Sequence, residues 1–295
     1  VFSRIDVWQV RMWASRMLLL GGGIALIGFW QFLRSPSVVD SSGLGAQTVV
    51  RAYSTMGSPN NLGMYLCILL LISLMWGLYR ESFLKLVATL LVVGCLLLTV
   101  SMSSFFGAVL VVGLFMVKRK NWRSLLFTVG LIATSMALID SLVPAVGSRV
   151  VASLMGEDQS WLLRVINWNQ LWPTDFWALM YGAGGGVSGM TVSFSGIDLL
   201  ADNQYLAVIL QFGVVGIVIY GTLLAAGGRM ALRESLRIWM PYSTKSEIAA
   251  GLLVILVAIW GSVVNILNVF PINAYFWSAL AMVASSARGK VRASA

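Results

Sequence analysis

Histidine is absent from the chain, and only 11 % of its 295 residues are charged. The first absence removes the commonest metal ligand and the commonest general base near neutral pH. A histidine-ligated metal centre is therefore excluded, and any catalysis must rest on carboxylates, arginines or groups carried by the substrate. The second absence excludes an ordinary soluble domain, in which about 25 % of residues are charged. There are only two cysteines, Cys67 and Cys95. Both lie inside apolar runs, so they read as small packing residues and not as a disulfide framework. Residues 1–16 lack an apolar stretch followed by a small-residue cleavage site, so no cleavable signal peptide is expected there. A start at Val1 is what a chain that has lost earlier helices would show.

What the chain has in abundance is apolar surface: 59 % of residues are hydrophobic and mean hydropathy is +0.87. This is the composition of an all-α integral membrane protein. A bilayer core about 30 Å thick takes roughly 20 apolar residues per helix. Eight segments qualify, at 17–33, 62–79, 84–100, 105–117, 125–139, 204–227, 248–267 and 272–287. No internal repeat, low-complexity tract or soluble domain interrupts them, and the whole of 1–295 reads as one membrane domain. The net charge of +9 does not point to nucleic acid, because the cations fall in small clusters between apolar segments. With eight spans, 16 cations fall on one face and four, Arg34, Arg51, Arg149 and Arg164, on the other. The positive-inside rule then puts both termini in the cytoplasm and the long loops 34–61 and 140–203 outside. Connections of this length between helices are uncommon and usually functional.

Within the larger loop, GSRVVASLMGEDQSWLLRVINWNQLW predicts an amphipathic helix over 160–172, stopped by Pro173. At helical spacing Trp161, Arg164, Trp168 and Leu171 share a face. Such a face either lies in the interfacial belt of a membrane or places Arg164 on an anion beside an aromatic support for a sugar or lipid head. The GAGGG run at 182–186 is not preceded by a strand, so a nucleotide loop is discounted; it predicts a sharp turn or a close approach of a ligand to the backbone. Asp202, Asn203 and Gln204 stand at the outer end of the sixth segment. Asp202 is either an N-cap or a general base whose pKa is set by partial burial and a nearby arginine. Asp198 is the second candidate base, and either carboxylate could instead pair with Arg149 or Arg164.

Three stretches, in order, resemble the O-antigen ligase and O-antigen polymerase superfamily of bacterial envelope enzymes. RAYSTMGSPNNLGMYL at 51–66 is similar to the family's R…G(T/S)F…PN…YL approach to a membrane helix. RVINWNQLWPTDFWALMYGAGGG at 164–186 is similar to part of its large periplasmic loop, and DNQYLAVILQFGVVG at 202–216 to the helix that closes that loop. The resemblance covers roughly residues 50–220. It implies a GT-C-like helical bundle in the bacterial inner membrane that transfers glycan from an undecaprenyl-diphosphate carrier to an acceptor hydroxyl on the periplasmic side. Transfer would invert the anomeric centre and require no metal or other cofactor. The implied partners are the lipid-diphosphate-linked oligosaccharide, the glycan acceptor, the bilayer and other envelope-polysaccharide assembly proteins.

Carried over by position, Arg51 and Arg164 are the diphosphate-holding arginines, and Asn203 and Tyr205 the polar and aromatic positions of the closing helix. Arg149, Trp168 and Asn60 complete the expected substrate-binding set, with Asp202 and Asp198 beside the acceptor. The chain departs from the pattern where ligases carry a histidine before the closing helix, where Gln211 stands for a glutamate, and at Ser101-Met102, which lacks an arginine. A polymerase-like or divergent member fits these departures better than a true ligase.

The chemistry supports such a reading on its own terms. A departing diphosphate develops negative charge, and arginine presents a permanent, planar cation that pairs two phosphate oxygens at once. Pro59 and Asn60 would fix the turn and cap beneath Arg51. The main alternative is a polytopic transporter or flippase, which usually needs ionisable residues or broken helices at the bilayer midplane. The centres of these segments carry essentially no charge. A noncatalytic membrane scaffold is the third reading, and it needs no convergent arginines.

Overall fold

The computed structural model describes residues 7–34, 52–56, 58–99, 101, 103–104, 106–110, 113, 159–173, 175–184, 192–194, 197–199, 203–235, 243–262 and 272–279. These are overwhelmingly helical. They contain three helices long and apolar enough to cross a membrane, Arg11–Arg34, Pro59–Trp76 and Gln204–Arg229, and two shorter apolar ones, Phe83–Leu98 and Leu252–Gly261. These apolar helices suggest a membrane protein. Five of the eight expected segments are thus found as helices, and residues 272–279 of the eighth are helical too. The segment at 125–139 lies outside the described residues. The chain divides into two compact units, the first 1–155 with 235–249, the second 156–234 with 250–295.

The first unit is built on α1 (Val7–Arg34), α2 (Pro59–Trp76) and α3 (Phe83–Leu98). The start of α2 is written in its sequence. The Ser58 hydroxyl accepts from the Asn61 amide at 3.2 Å as the N-cap, and Pro59 takes the first helical position, where a missing N–H costs nothing. Gly77 ends α2 in the left-handed conformation, φ +66°, and a single 3-10 turn, Leu78–Arg80, leads to the Ser82 N-cap of α3. Residues Leu62 to Leu71 of α2 are buried without interruption, so this helix is the core around which α1 and α3 pack.

Small residues of α1 make that packing close. A side chain at Gly21 would collide with Leu69, one at Gly22 would sit 3.0 Å from the Ala88 Cβ, and one at Gly28 2.6 Å from the Cys95 sulfur. The outer face of α1 carries Trp13, Leu20, Leu26, Ile27, Trp30 and Leu33, all exposed. Small residues inside and large apolar ones outside is the pattern of a helix packed in lipid, where burial of apolar groups gives no drive between helices and van der Waals contact decides. Two buried polar side chains inside the unit are paired: Ser73 with Thr89 at 2.8 Å, and Ser54, whose hydroxyl donates to the Ile24 carbonyl at 2.7 Å.

The two ends of this unit are fastened differently. At one end Arg11 of α1 reaches Glu81 in the α2–α3 turn, its Nε donating at 2.7 Å, while Lys85 bonds the other carboxylate oxygen. At the opposite end the Ala52 amide donates to the Leu98 carbonyl at 3.0 Å and Gln31 donates to the Ser54 carbonyl at 3.3 Å. Partial burial pushes the Glu81 carboxyl up, but hydrogen bonds from Lys85 and Arg11, with their charges, outweigh it and hold it below the ordinary 4.5.

The second unit contains α4 (Gln159–Leu171), α5 (Phe176–Tyr181), a two-strand antiparallel hairpin of β1 (Val192–Phe194) and β2 (Ile197–Leu199), α6 (Gln204–Ser235) as far as Glu234, and the latter part of α7 (Ser243–Gly261). The hairpin was not expected; the larger loop reads as short surface helices only. Its strands pair Val192 with Leu199, Ser193 with Asp198 and Phe194 with Ile197.

Two outcomes are expected. Gly63→Val drives a side chain into Ser104, which a Cβ at this position would already strike, and overpacking of this kind costs about 1–3 kcal/mol; thermal unfolding in detergent measures it. Because the folded Glu81 pKa is depressed, its contribution is complete above the unfolded value and fades as pH falls through the folded one. Glu81→Gln should therefore lose on the order of 0.2–1 kcal/mol near neutrality, less at high salt, and should match the parent once both are acidified.

Candidate functional site

The closest gathering of the expected site residues lies in the second unit, where α4 meets the N-terminal end of α6. The predicted helix over 160–172 is observed as Gln159–Leu171, ending two residues before Pro173. Of its predicted shared face, Trp168 and Leu171 are turned inward. Leu171 is buried against Leu206 and Ala207 of α6, and Trp168 and Leu210 pack on the same cluster. Arg164, one turn before Trp168, is half-buried, whereas Ile166 on the other side of α4 is exposed. Trp168 is thus a packing residue of the protein interior as much as an interfacial one. The outward aromatics are Trp172, Phe176, Trp177 and Tyr181.

Asn203 caps α6. Its Oδ1 accepts from the Tyr205 and Leu206 amides at 2.9 and 3.2 Å, and its Nδ2 donates to the Ser262 carbonyl at 2.9 Å. The Tyr205 hydroxyl donates to the Ala258 carbonyl of α7 at 2.6 Å. Two residues expected to meet substrate are therefore engaged in fastening α6 to α7. The capping role considered for Asp202 belongs to the neighbouring Asn203, whose short amide satisfies free N–H groups while its other end reaches α7.

A feature that the sequence reading passed over lies nine residues further along α6. Gly213 leaves helical geometry at φ +64°, ψ −159°, so α6 is two helices joined at a break. Gly182, which ends α5, sits at φ +76°, ψ +174°. Both conformations fall in a region open essentially to glycine alone. The two positions meet: a Cβ on Gly213 would strike the Met180 carbonyl, and one on Gly182 would strike the backbone of Gln211 and Phe212. Just ahead of the break, the Leu210 carbonyl accepts from the Ala183 amide at 2.7 Å and the Gln211 carbonyl from the Gly184 amide at 3.2 Å. An intact helix would pair those carbonyls with the amides of Val214 and Val215. The glycine run does bring backbone close to a partner, but that partner is α6 and not a ligand. The signal available in the sequence was a glycine, Gly213, inside a 32-residue helix that follows a glycine-rich loop.

In the first unit the polar threshold 51–61 meets α2 at the Ser58 cap. The Asn60 carbonyl accepts from the Ser104 hydroxyl at 3.4 Å and the Asn61 side chain donates to the Met56 carbonyl at 3.4 Å. The expected role of Asn60 as cap is filled by Ser58. Arg51, Arg149 and Asp202 lie outside the described residues. Asp198 is placed by its backbone alone, opposite Ser193 in the hairpin. The expected convergence of Arg51 with Arg164 therefore lies outside the described residues, and Arg164 and Trp168 stand one turn apart on α4, as their spacing predicts. Among the described residues no group of three or more metal-ligating side chains comes together.

No protein-family model, curated protein or solved structure matches the chain.

Alanine at Gly213 or Gly182 should destabilise by more than the roughly 1–3 kcal/mol of a strained backbone position, since steric overlap adds to it. Gly221, with open space around its Cβ position, is the internal control. Gly221→Ala should be neutral or stabilise by up to about 1 kcal/mol, as alanine does in a helix. Thermal unfolding of the three variants side by side measures the contrast.

Proposed function

We propose that the chain is a membrane glycosyltransferase that uses a lipid-diphosphate-linked glycan as donor, of the O-antigen polymerase or ligase kind, acting on the periplasmic face of the bacterial inner membrane. The eight-span, GT-C-like arrangement with cytoplasmic termini belongs to this proposal. The single observation that carries it is the placement of Arg164 and Trp168 one turn apart on α4, a half-buried permanent cation at helical spacing from an aromatic residue. The cluster of Leu171, Leu206 and Ala207 holds α4 against the end of a candidate membrane helix. The diphosphate and first sugar of a carrier lipid travel at that level of a bilayer. The order of the three motifs along the chain supports the same reading.

In the proposed reaction the acceptor hydroxyl oxygen bonds to the anomeric carbon as the bond from that carbon to the diphosphate oxygen breaks. The configuration inverts, and the carrier departs as its diphosphate. Arg164 and Arg51 hold the charge that develops on the leaving group, and a preorganised cation in a water-poor setting is worth most there. Asp202, or Asp198, receives the hydroxyl proton. Trp168, Asn60, Arg149, Asn203 and Tyr205 would line the approach, the last two through the α6 end that they fix.

One observation favours the second reading, a transporter or flippase for lipid-linked oligosaccharide: α6 is broken at Gly213, as the helices of many transporters are. The carbonyls ahead of that break already accept from the glycine loop, and residues 204–228 of α6 carry no charge, which supports the enzymatic reading over transit.

The test is incubation of the full chain, in nanodiscs, with a lipid-diphosphate oligosaccharide. Higher glycan oligomers and free carrier diphosphate are expected. Arg164→Ala should lower the rate by about 100- to 1,000-fold, the usual cost of removing a group that stabilises transition-state charge. Arg164→Lys should recover part of it, keeping the charge without the bidentate fork. Unchanged turnover in Arg164→Ala, or movement of the intact lipid across a vesicle bilayer without transfer, contradicts the proposal.

A further inference from the structure

Three aromatic side chains of α5 stand outward: Phe176, Trp177 and Tyr181 are 61, 64 and 64 % exposed. They form one surface. The Trp177 and Tyr181 rings stack at 5.9 Å, and Phe176 meets Trp177 edge-on at 5.4 Å. An aromatic surface of this size facing water is unusual for a monomeric protein and marks a site of contact.

Where α5 sits indicates what the contact is with. Its C-terminal glycine rests on the α6 backbone at Gln211 and Phe212, and the following amides bond the Leu210 and Gln211 carbonyls. That seat is eight or nine residues beyond Asn203, the cap of α6, roughly 12–14 Å along the helix axis at 1.5 Å per residue. The candidate span Gln204–Arg229 is 26 residues, so its length of roughly 39 Å exceeds a hydrocarbon core of about 30 Å by only about 9 Å. Even with all of that excess placed outside the α5 end, the seat, seven or eight residues and so roughly 10.5–12 Å beyond Gln204, lies about 1.5–3 Å inside the hydrocarbon boundary. The exposed face of α6 beside it carries Phe212, Val215, Val218, Ile219 and Leu223, and its one exposed hydroxyl, Thr222, donates to the Val218 carbonyl at 2.7 Å.

Backbone at such a depth must have its polar groups satisfied within the protein, and the amides along the segment are so bonded. The Ala178 amide bonds the Asp175 carboxylate at 2.9 Å, Leu179 the Asp175 carbonyl at 2.9 Å and Gly182 the Ala178 carbonyl at 2.8 Å, while Ala183 and Gly184 bond α6. Six residues of α5, roughly 9 Å of helix, separate the charged cap Asp175 from the seat at Gly182.

We propose that α5 and the glycine turn behind it are a re-entrant element, dipped into the bilayer against the break in α6, with Phe176, Trp177 and Tyr181 in contact with lipid at the boundary between acyl chains and headgroups. The proposal stands apart from the enzymatic reading, because its evidence is the depth of the segment and the bonding of its amides. Aromatic rings with one polar edge are the side chains that this boundary favours.

Spin-label accessibility in phospholipid bilayers tests it without reference to activity. Trp177→Cys and Tyr181→Cys are labelled in the full chain, with Val218→Cys as the lipid-facing reference and Gln170→Cys as the aqueous one. The native Cys67 and Cys95 are fully buried, and the labelled parent provides the blank. Collision with oxygen relative to a polar nickel chelate should exceed Gln170 by about fivefold or more and stay below the deeper Val218, since hydrocarbon excludes the chelate increasingly with depth. Nickel accessibility equal to that at Gln170 overturns the proposal in favour of a solvent-facing loop. Exclusion of both reagents overturns it in favour of a second protein copy covering the surface.

Discussion

Every backbone amide and carbonyl withdrawn from water must find a partner inside the protein, and that constraint organises what surrounds α6. A helix meets it automatically until it is broken. The break at Gly213 would strand carbonyls one turn back, and the glycine turn after α5 supplies amides to two of them. The arrangement is possible because both chains present glycine where they touch, in backbone conformations that no other residue adopts at low cost. Side chains have little part in the contact. What joins α5 to α6 is main chain against main chain, which fixes the level of the aromatic residues carried by α5 and, through the short link 172–175, the end of α4.

The same economy governs the first unit in another form. There the close approaches are between Gly21, Gly22 and Gly28 of α1 and residues of α2 and α3, with the large apolar side chains turned outward. Packing density, and not the exclusion of water, holds such helices together. The charged tie among Arg11, Glu81 and Lys85 sits at one end, where exposure makes it weak, and the backbone tie of Ala52 to Leu98 closes the other.

Much of this was legible in the residues. Apolar runs located α1, α2, α3, α6 and α7, because helix length and hydropathy are set directly by composition. Pro173 marked the end of α4 and Pro59 the start of α2, because proline fixes its own dihedral; the cap, expected at Asn60, is Ser58, since several short polar side chains stand together at that threshold and any of them can cap. The inward face of α4 was legible from spacing, though not its partner, since periodicity identifies a face and says nothing of what covers it. The hairpin at 192–199 was hidden because strands of three residues are too short for an alternating pattern to stand out. Gly213 was hidden for a different reason: in an apolar helix a glycine that breaks the chain looks the same as one that lets a neighbour pack. The glycine run at 182–186 was read as a sharp turn or room for a ligand against the backbone, and at 182–184 it is a turn laid on the backbone of α6. Asn203 and Tyr205 were singled out correctly as special, yet the bonds they make tie α6 to α7.

A cation beside an aromatic at the end of a membrane helix is chemistry suited to a lipid-borne diphosphate and its sugar, and the enzyme reading rests on Arg164 for that reason. The architecture beneath it rests on the pairing of the glycine turn with the broken helix. Amide hydrogen exchange at Ala183 and Gly184, resolved residue by residue in the membrane-embedded protein, tests that pairing most directly. Protection comparable to that of the α6 amides is expected; exchange at the rate of an open loop would contradict the account.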